Sequence, residues 1–151
     1  MTTLSTSRAT SNTAAEHVSD HNTIHTLNNT IDATWSTWTP TLTNLTQGNG
    51  TIISKYLVVG KTVHFRFHFT LGSTSSVGAA AVYFSLPVSA TAEGAAAAVF
   101  NDAGTSNRSA GGRITATTCQ LVHSTGWVST TAPFTWASGD EILVTGTYET
   151  A

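Results

Sequence analysis

The chain has 151 residues, 40% of them hydrophobic and only 9% charged, with a formal net charge of −2. That length suits one domain with one hydrophobic core, and the charged fraction lies far below the roughly 25% of an average soluble domain. The basic residues Arg8, Lys55, Lys61, Arg66, Arg108 and Arg113 are spread along the sequence, which gives no electrostatic case for a phosphate-binding surface and makes nucleic acid an unexpected partner.

Cys119 is the single cysteine, so neither an intrachain disulfide nor a cysteine-based zinc site can form. No apolar run approaches the roughly 20 residues of a membrane span; the nearest, "GAAAAVF" at 94–100, is far too short. The opening "MTTLSTSRATSNTAAE" lacks the apolar centre of a signal peptide, so synthesis in the cytosol without export is expected. Threonine fills about a fifth of the chain, and its β-branched side chain suits a half-exposed pleated surface.

In chain order, residues 1–15 are polar and low in complexity, which predicts an extended or disordered arm. Residues 16–34 carry helical signals: Ser19 can cap, Asp20 falls in the first turn, and Ile24, Leu27 and Ile31 recur at spacings of three and four. Within this segment His17, His21 and His25 stand four apart, which stacks them along one helical face. Two such imidazoles can share a metal ion. A third cannot join them from the same helix, because positions eight apart lie about 12 Å apart along the axis. The alternative is an association seam: His17, Ile24 and Ile31 sit at sevenfold spacing with Leu27 between, and His21 and Asn28 are polar members that specify register. The seam is the preferred reading. It makes Ile24, Leu27, Asn28, Ile31 and the following Trp35 candidates for an oligomer or partner interface, and it assigns no metal and no cofactor.

From residue 35 to 151 the texture is β. "KTVHFRFHFTL" (61–71) alternates, with Val63, Phe65, Phe67 and Phe69 on one face and His64, Arg66, His68 and Thr70 on the other. Further strand-like runs are "GTIISKYLVVG", "AAVYFSLPVSA", "GRITATTCQLVH", "GWVSTTAPFTW" and "DEILVTGTYET", with turn signals at 47–50, Gly60, 71–76, 101–107, Gly126 and 138–140. Short strands at regular spacing predict a mainly β fold, an antiparallel β-sandwich or jelly roll preceded by the arm and one short α-helix.

The polar face of 61–71 places His64, Arg66 and His68 about 7 Å apart per step, a candidate surface for an anionic or sugar ligand and equally an ordinary solvated sheet face. Trp35, Trp38, Trp127 and Trp136 could stack on sugar rings; large aromatics more often close the end of a sandwich. Catalysis finds little support. No G-x-S-x-G elbow is present, and none of the eight acidic residues forms an evident acid/base couple. Asp140 in "SGDEILVTG" reads as a turn residue before a strand.

The run "WTPTLTNLTQGNGTIISKYLVVGKTVHFRFHFTL" (38–71), followed by "VYFSLPVSA" (82–90) and "PFTWASGDEILVTGTYE" (133–149), resembles a β-domain recurrent in virion proteins of tailed bacteriophages. The upstream "HVSDHNTIHTLNNTI" looks like the short segment that precedes this domain in actinobacteriophage proteins. The resemblance covers residues 16 to 149. It implies a homotrimeric, jelly-roll-like protein on the virion exterior, of the head-decoration, head-fibre or tail-fibre kind, with no catalytic residues. Its expected partners are itself and the major capsid protein or another virion protein, with a host glycan as the alternative for an adsorption module; a small cell-wall hydrolase is a remoter rival.

Overall fold

The computed structural model describes residues 18, 19, 21–23 and 34–151. The chain divides into two units, Met1–Ala33 and Thr34–Ala151. In the first, Val18, Ser19 and residues 21–23 are helical, and Thr23 Oγ1 donates to the Ser19 carbonyl at 2.9 Å, the four-residue reach of an α-helix. The remaining predicted helix residues, among them His17, Ile24, His25, Leu27, Asn28 and Ile31, lie outside the described residues.

The second unit is built from strands: β1 (Ser36–Thr37), β2 (Leu42–Thr43), β3 (Leu45–Thr46), β4 (Thr51–Val59), β5 (Thr62–Thr70), β6 (Ser76–Val77), β7 (Tyr83–Ser85), β8 (Gly94–Asp102), β9 (Ser106–Ile114), β10 (Thr118–His123), β11 (Gly126–Trp127) and β12 (Glu141–Glu149). All but β3 and β6 join one antiparallel sheet in the order β1-β4-β5-β12-β8-β9-β10-β7-β2, with β11 also on β10. β3 and β6 pair as a separate ribbon. The fold is thus mainly β, and the sheet curls until its two ends face one another as the layers of a sandwich do: Phe67 on β5 stacks on Phe84 of β7 with ring centroids 4.3 Å apart and planes 10° apart.

Side-chain size across the sheet explains the curl. One inward-facing row runs Tyr56, Phe65, Gly146, Ala96, Gly112, Leu121, large at both ends and minimal in the middle. A methyl group on Gly146 would sit 2.7 Å from the Phe65 ring and 2.9 Å from Ala96 Cβ. The middle strands bend there because almost no side-chain volume holds the facing layers apart. The space is filled by Val63, Phe65, Phe67, Phe69, Phe84, Ile114, Leu121 and Ile142, all essentially inaccessible to solvent. Each such side chain contributes about 1.5–3 kcal/mol by leaving water.

Connections obey local chemistry. β4 and β5 are joined by Gly60 and Lys61 alone, with Gly60 at φ 59°, the glycine-first two-residue loop whose twist matches the flanking strands. Asp140, 1% exposed, clips one end of the barrel-like curl. Its Oδ1 accepts from the Ala103 amide at 2.9 Å and its Oδ2 from the Ala137 amide at 2.6 Å, while its carbonyl accepts from Leu71 N at 2.8 Å. Trp38 closes another opening: Nε1 donates to the Ser85 carbonyl at 3.2 Å, and the indole lies edge-on to Tyr56 and Phe65. Trp136 donates from Nε1 to the Ser129 carbonyl at 3.0 Å and packs on Phe100 and Phe134. These two tryptophans are plugs.

Cys119 sits fully buried in the core, and burial pushes its thiol up to about 12. The thiolate is the reactive form. We therefore expect no labelling by iodoacetamide in native buffer and complete labelling in denaturant; stoichiometric modification of the native protein would contradict the buried position.

The structure departs from the sequence reading in places. "GAAAAVF", considered only as an apolar run, is most of β8, and the stretch from Ser106 that sequence assigned to a turn is the start of β9. Conversely, only Tyr83–Ser85 of "AAVYFSLPVSA" and Gly126–Trp127 of "GWVSTTAPFTW" are strands; the remainder of each is irregular chain closing the ends of the sheet.

Candidate functional site

The period of two in β5 delivers its polar row to the outer face, opposite the core. β12 and β8 continue that face, because cross-strand partners share a side. Three parallel rows result. The first is Ile53, His68, Leu143, Val99; the second is Lys55, Arg66, Thr145, Ala97; the third is Leu57, His64, Thr147. At about 4.8 Å per strand, the first row spans about 15 Å.

The first two rows form a shallow groove of about 510 Å³ whose lining includes Ile53, Ala97, Val99 and Leu143, with Arg66, His68 and Thr145 as its polar members. Ile53, Val99 and Leu143 are 50%, 42% and 37% exposed. Single exposed aliphatics are ordinary, but neighbouring ones in register across a sheet make a patch of the kind that marks contact sites.

The sequence-predicted residues His64, Arg66 and His68 do share this face, and each has a local partner. His64 Nδ1 lies 3.0 Å from Thr147 Oγ1. The Arg66 guanidinium lies 5.2 Å from the centroid of the Trp35 ring, a cation–π contact, and Trp35 remains 46% exposed. His68 Nε2 lies 3.0 Å from Glu141 Oε1, and Asn101 Nδ2 donates to Glu141 Oε2 at 2.9 Å. His21 is exposed and helical; its companions His17 and His25 lie outside the described residues. Among the described residues, no three His, Cys, Asp or Glu side chains cluster as a metal cage would require.

The hydrogen bond from Asn101, then that from His68, holds the Glu141 carboxyl below its ordinary value of 4.5. The ionised form therefore favours the folded state at pH above that ordinary value, and the contribution is lost as pH falls through the lower folded-state value. The stability advantage of wild type over Glu141→Gln, read from urea denaturation, should shrink as pH falls from about 6 to about 3. Parallel curves for the two proteins would remove Glu141 from the acid response.

Sequence reasoning missed the apolar half of this face. Ile53, Val99 and Leu143 belong to three strands whose adjacency depends on β12 inserting between β5 and β8. It also missed a second feature, a cleft of about 600 Å³ beside Arg108.

The fold defines a mainly β, sandwich-like domain with a mixed apolar and basic outer face. The chain matches no protein-family model, no curated protein and no solved structure.

Proposed function

We propose that this chain is a non-enzymatic structural protein of a bacteriophage virion, made in the host cytoplasm and carried on the particle exterior. It would act as a homotrimeric capsid decoration protein that binds and stabilises the shell. The observation that carries the reading is the outer sheet face, where Ile53, Val99 and Leu143 stand exposed beside Lys55 and Arg66. Such a face is complementary to a partner surface with apolar contacts and an acidic rim. The resemblance of residues 16–149 to virion β-domains supports the major capsid protein, or another virion protein, as the partner. The spacing of Ile24, Leu27 and Ile31 in the sequence supports a seam that would gather three copies. Clamping follows from linkage: a protein that binds only the assembled shell stabilises assembly by its own binding free energy.

In light scattering the purified protein should show three times the 15.8 kDa mass of the chain. Leu143→Glu should keep that mass and lose cosedimentation with shells stripped of the protein, by about tenfold or more in affinity for a charge buried in an apolar contact. A monomeric wild type would sink the trimer. Wild-type shell binding by Leu143→Glu would sink the docking face, and particles lacking the protein that resist heat as well as complete ones would sink the stabilising role.

A further inference from the structure

The second cleft arises where two neighbouring strands differ in length. β9 pairs with β8 along its whole length, from Ser106 to Ile114. On its other side β10 pairs only as far as the match of His123 with Ala110. The edge of β9 at residues 106–109 is therefore left without a strand, and its backbone faces an open cleft of about 600 Å³ bordered on the far side by Thr131, Ala132 and Pro133. That volume falls in the range of small-molecule sites.

The groups around it are polar and unengaged. Arg108 and Thr131 border the cleft, and neither side chain makes a hydrogen bond or ion pair with another described residue. Asn107 and Ser109 border it with strand-edge backbone, since they pair with Asn101 and Val99 and so send their side chains to the outer face. The ion pairs among the described residues are those of His68 with Glu141 and Arg113 with Glu93, so Arg108 has no carboxylate of its own. His123, by contrast, is committed: Nε2 lies 3.1 Å from the Trp127 carbonyl, and Nδ1 accepts from the Thr125 amide at 3.4 Å. It braces the wall and leaves Arg108 as the cleft's free cation.

An arginine fork without a partner fits a planar oxyanion, a carboxylate above all. The Thr131 hydroxyl together with strand-edge N–H and C=O groups fits a ligand rich in hydroxyls. Ala132 and Pro133 offer a small apolar surface for the C–H side of a ring. Four residues of free edge are too few for a stable added strand, which disfavours an extended peptide. We propose that this cleft binds a carboxylate-bearing saccharide, a uronic or sialic acid type, with Arg108 receiving the carboxylate and Thr131 and the free backbone edge at residues 107–109 the hydroxyls. The site is separate from the outer face and does not depend on the shell-docking reading.

The test is titration of the ¹⁵N-labelled full chain with four probes: glucuronate, N-acetylneuraminic acid, glucose and inorganic phosphate. Either or both acidic sugars should shift the amides of residues 107–109 and 131–132, with glucose and phosphate weaker by about tenfold or more. Arg108→Ala should weaken binding of the acidic sugar by about tenfold or more, and Arg108→Lys should recover only part, because an ammonium lacks the fork. Thr131→Val, a change of shape-matched hydroxyl to methyl, should weaken the sugar and leave phosphate unchanged. Arg108 is exposed, so its variants should fold, and unshifted core amides would confirm it. No binding of either acidic sugar, equal binding of glucose, a preference for phosphate, shifts mapping elsewhere, or unchanged binding by Arg108→Ala would each overturn the proposal.

Discussion

Phe67→Ala should lower the unfolding free energy by about 3–5 kcal/mol, read from urea denaturation. The ring is 1% exposed, is flanked on its own sheet by Ser54 and Val144, and stacks on Phe84 from the opposite end of the curl. Truncation therefore loses burial, opens a void between two layers that the strands hold apart, and removes the aromatic contact that closes the sandwich. Arg66→Ala, one residue away on the outer face, should cost about 1 kcal/mol or less, since it loses only an exposed cation–π contact. A similar cost for both would mean that β5 does not have one buried and one exposed side.

Asp140→Ala should cost about 2–4 kcal/mol, because two backbone amides lose a charged acceptor inside a nearly closed site. The carboxylate serves Ala103 in the β8–β9 turn and Ala137 in the turn before β12. Asp140→Asn should fall between wild type and alanine, since one carbonyl oxygen can serve only one of the two amides well. The backbone bond from Leu71 survives both substitutions. If asparagine and alanine were equally mild, the clip would contribute nothing. This geometry gives Asp140 a structural task, in agreement with its reading as a turn residue before a strand.

β5 was legible because its alternation is complete and its buried side is aromatic, so period and composition gave one answer. β8 was not, because "AAAA" favours helix in isolation and carries little apolar signal. It is a strand because its neighbours need minimal side chains at the bend, a tertiary demand that overrides local preference. β9 hides for a similar reason, being Ser, Asn, Arg and Gly with its inward positions reduced to Gly112 and Ile114. The shared face of His64, Arg66 and His68 could be read from one strand. Their apolar neighbours Leu143 and Val99 could not, since they arrive through pairings between residues 40 or more positions apart in sequence. The Arg108 cleft depends on a difference in strand length that leaves no local mark at all.

The position of β12 has a consequence for biosynthesis. β12 lies between β5 and β8 in the sheet but follows both in the chain, so the β4–β5 and β8–β9 hairpins emerge before it as separate pieces of nascent chain. Until residues 141–149 follow, each presents a bare inner edge, and nothing joins the Phe65, Phe67 and Phe69 row to the β8–β9 half of the sheet. Unpaired edges are a feature that makes intermediates stick to one another. At high expression the limiting quantity for this protein should thus be translation time to Glu149. Slowing synthesis within residues 103–140 should raise the insoluble fraction, and an unchanged fraction would sink this account.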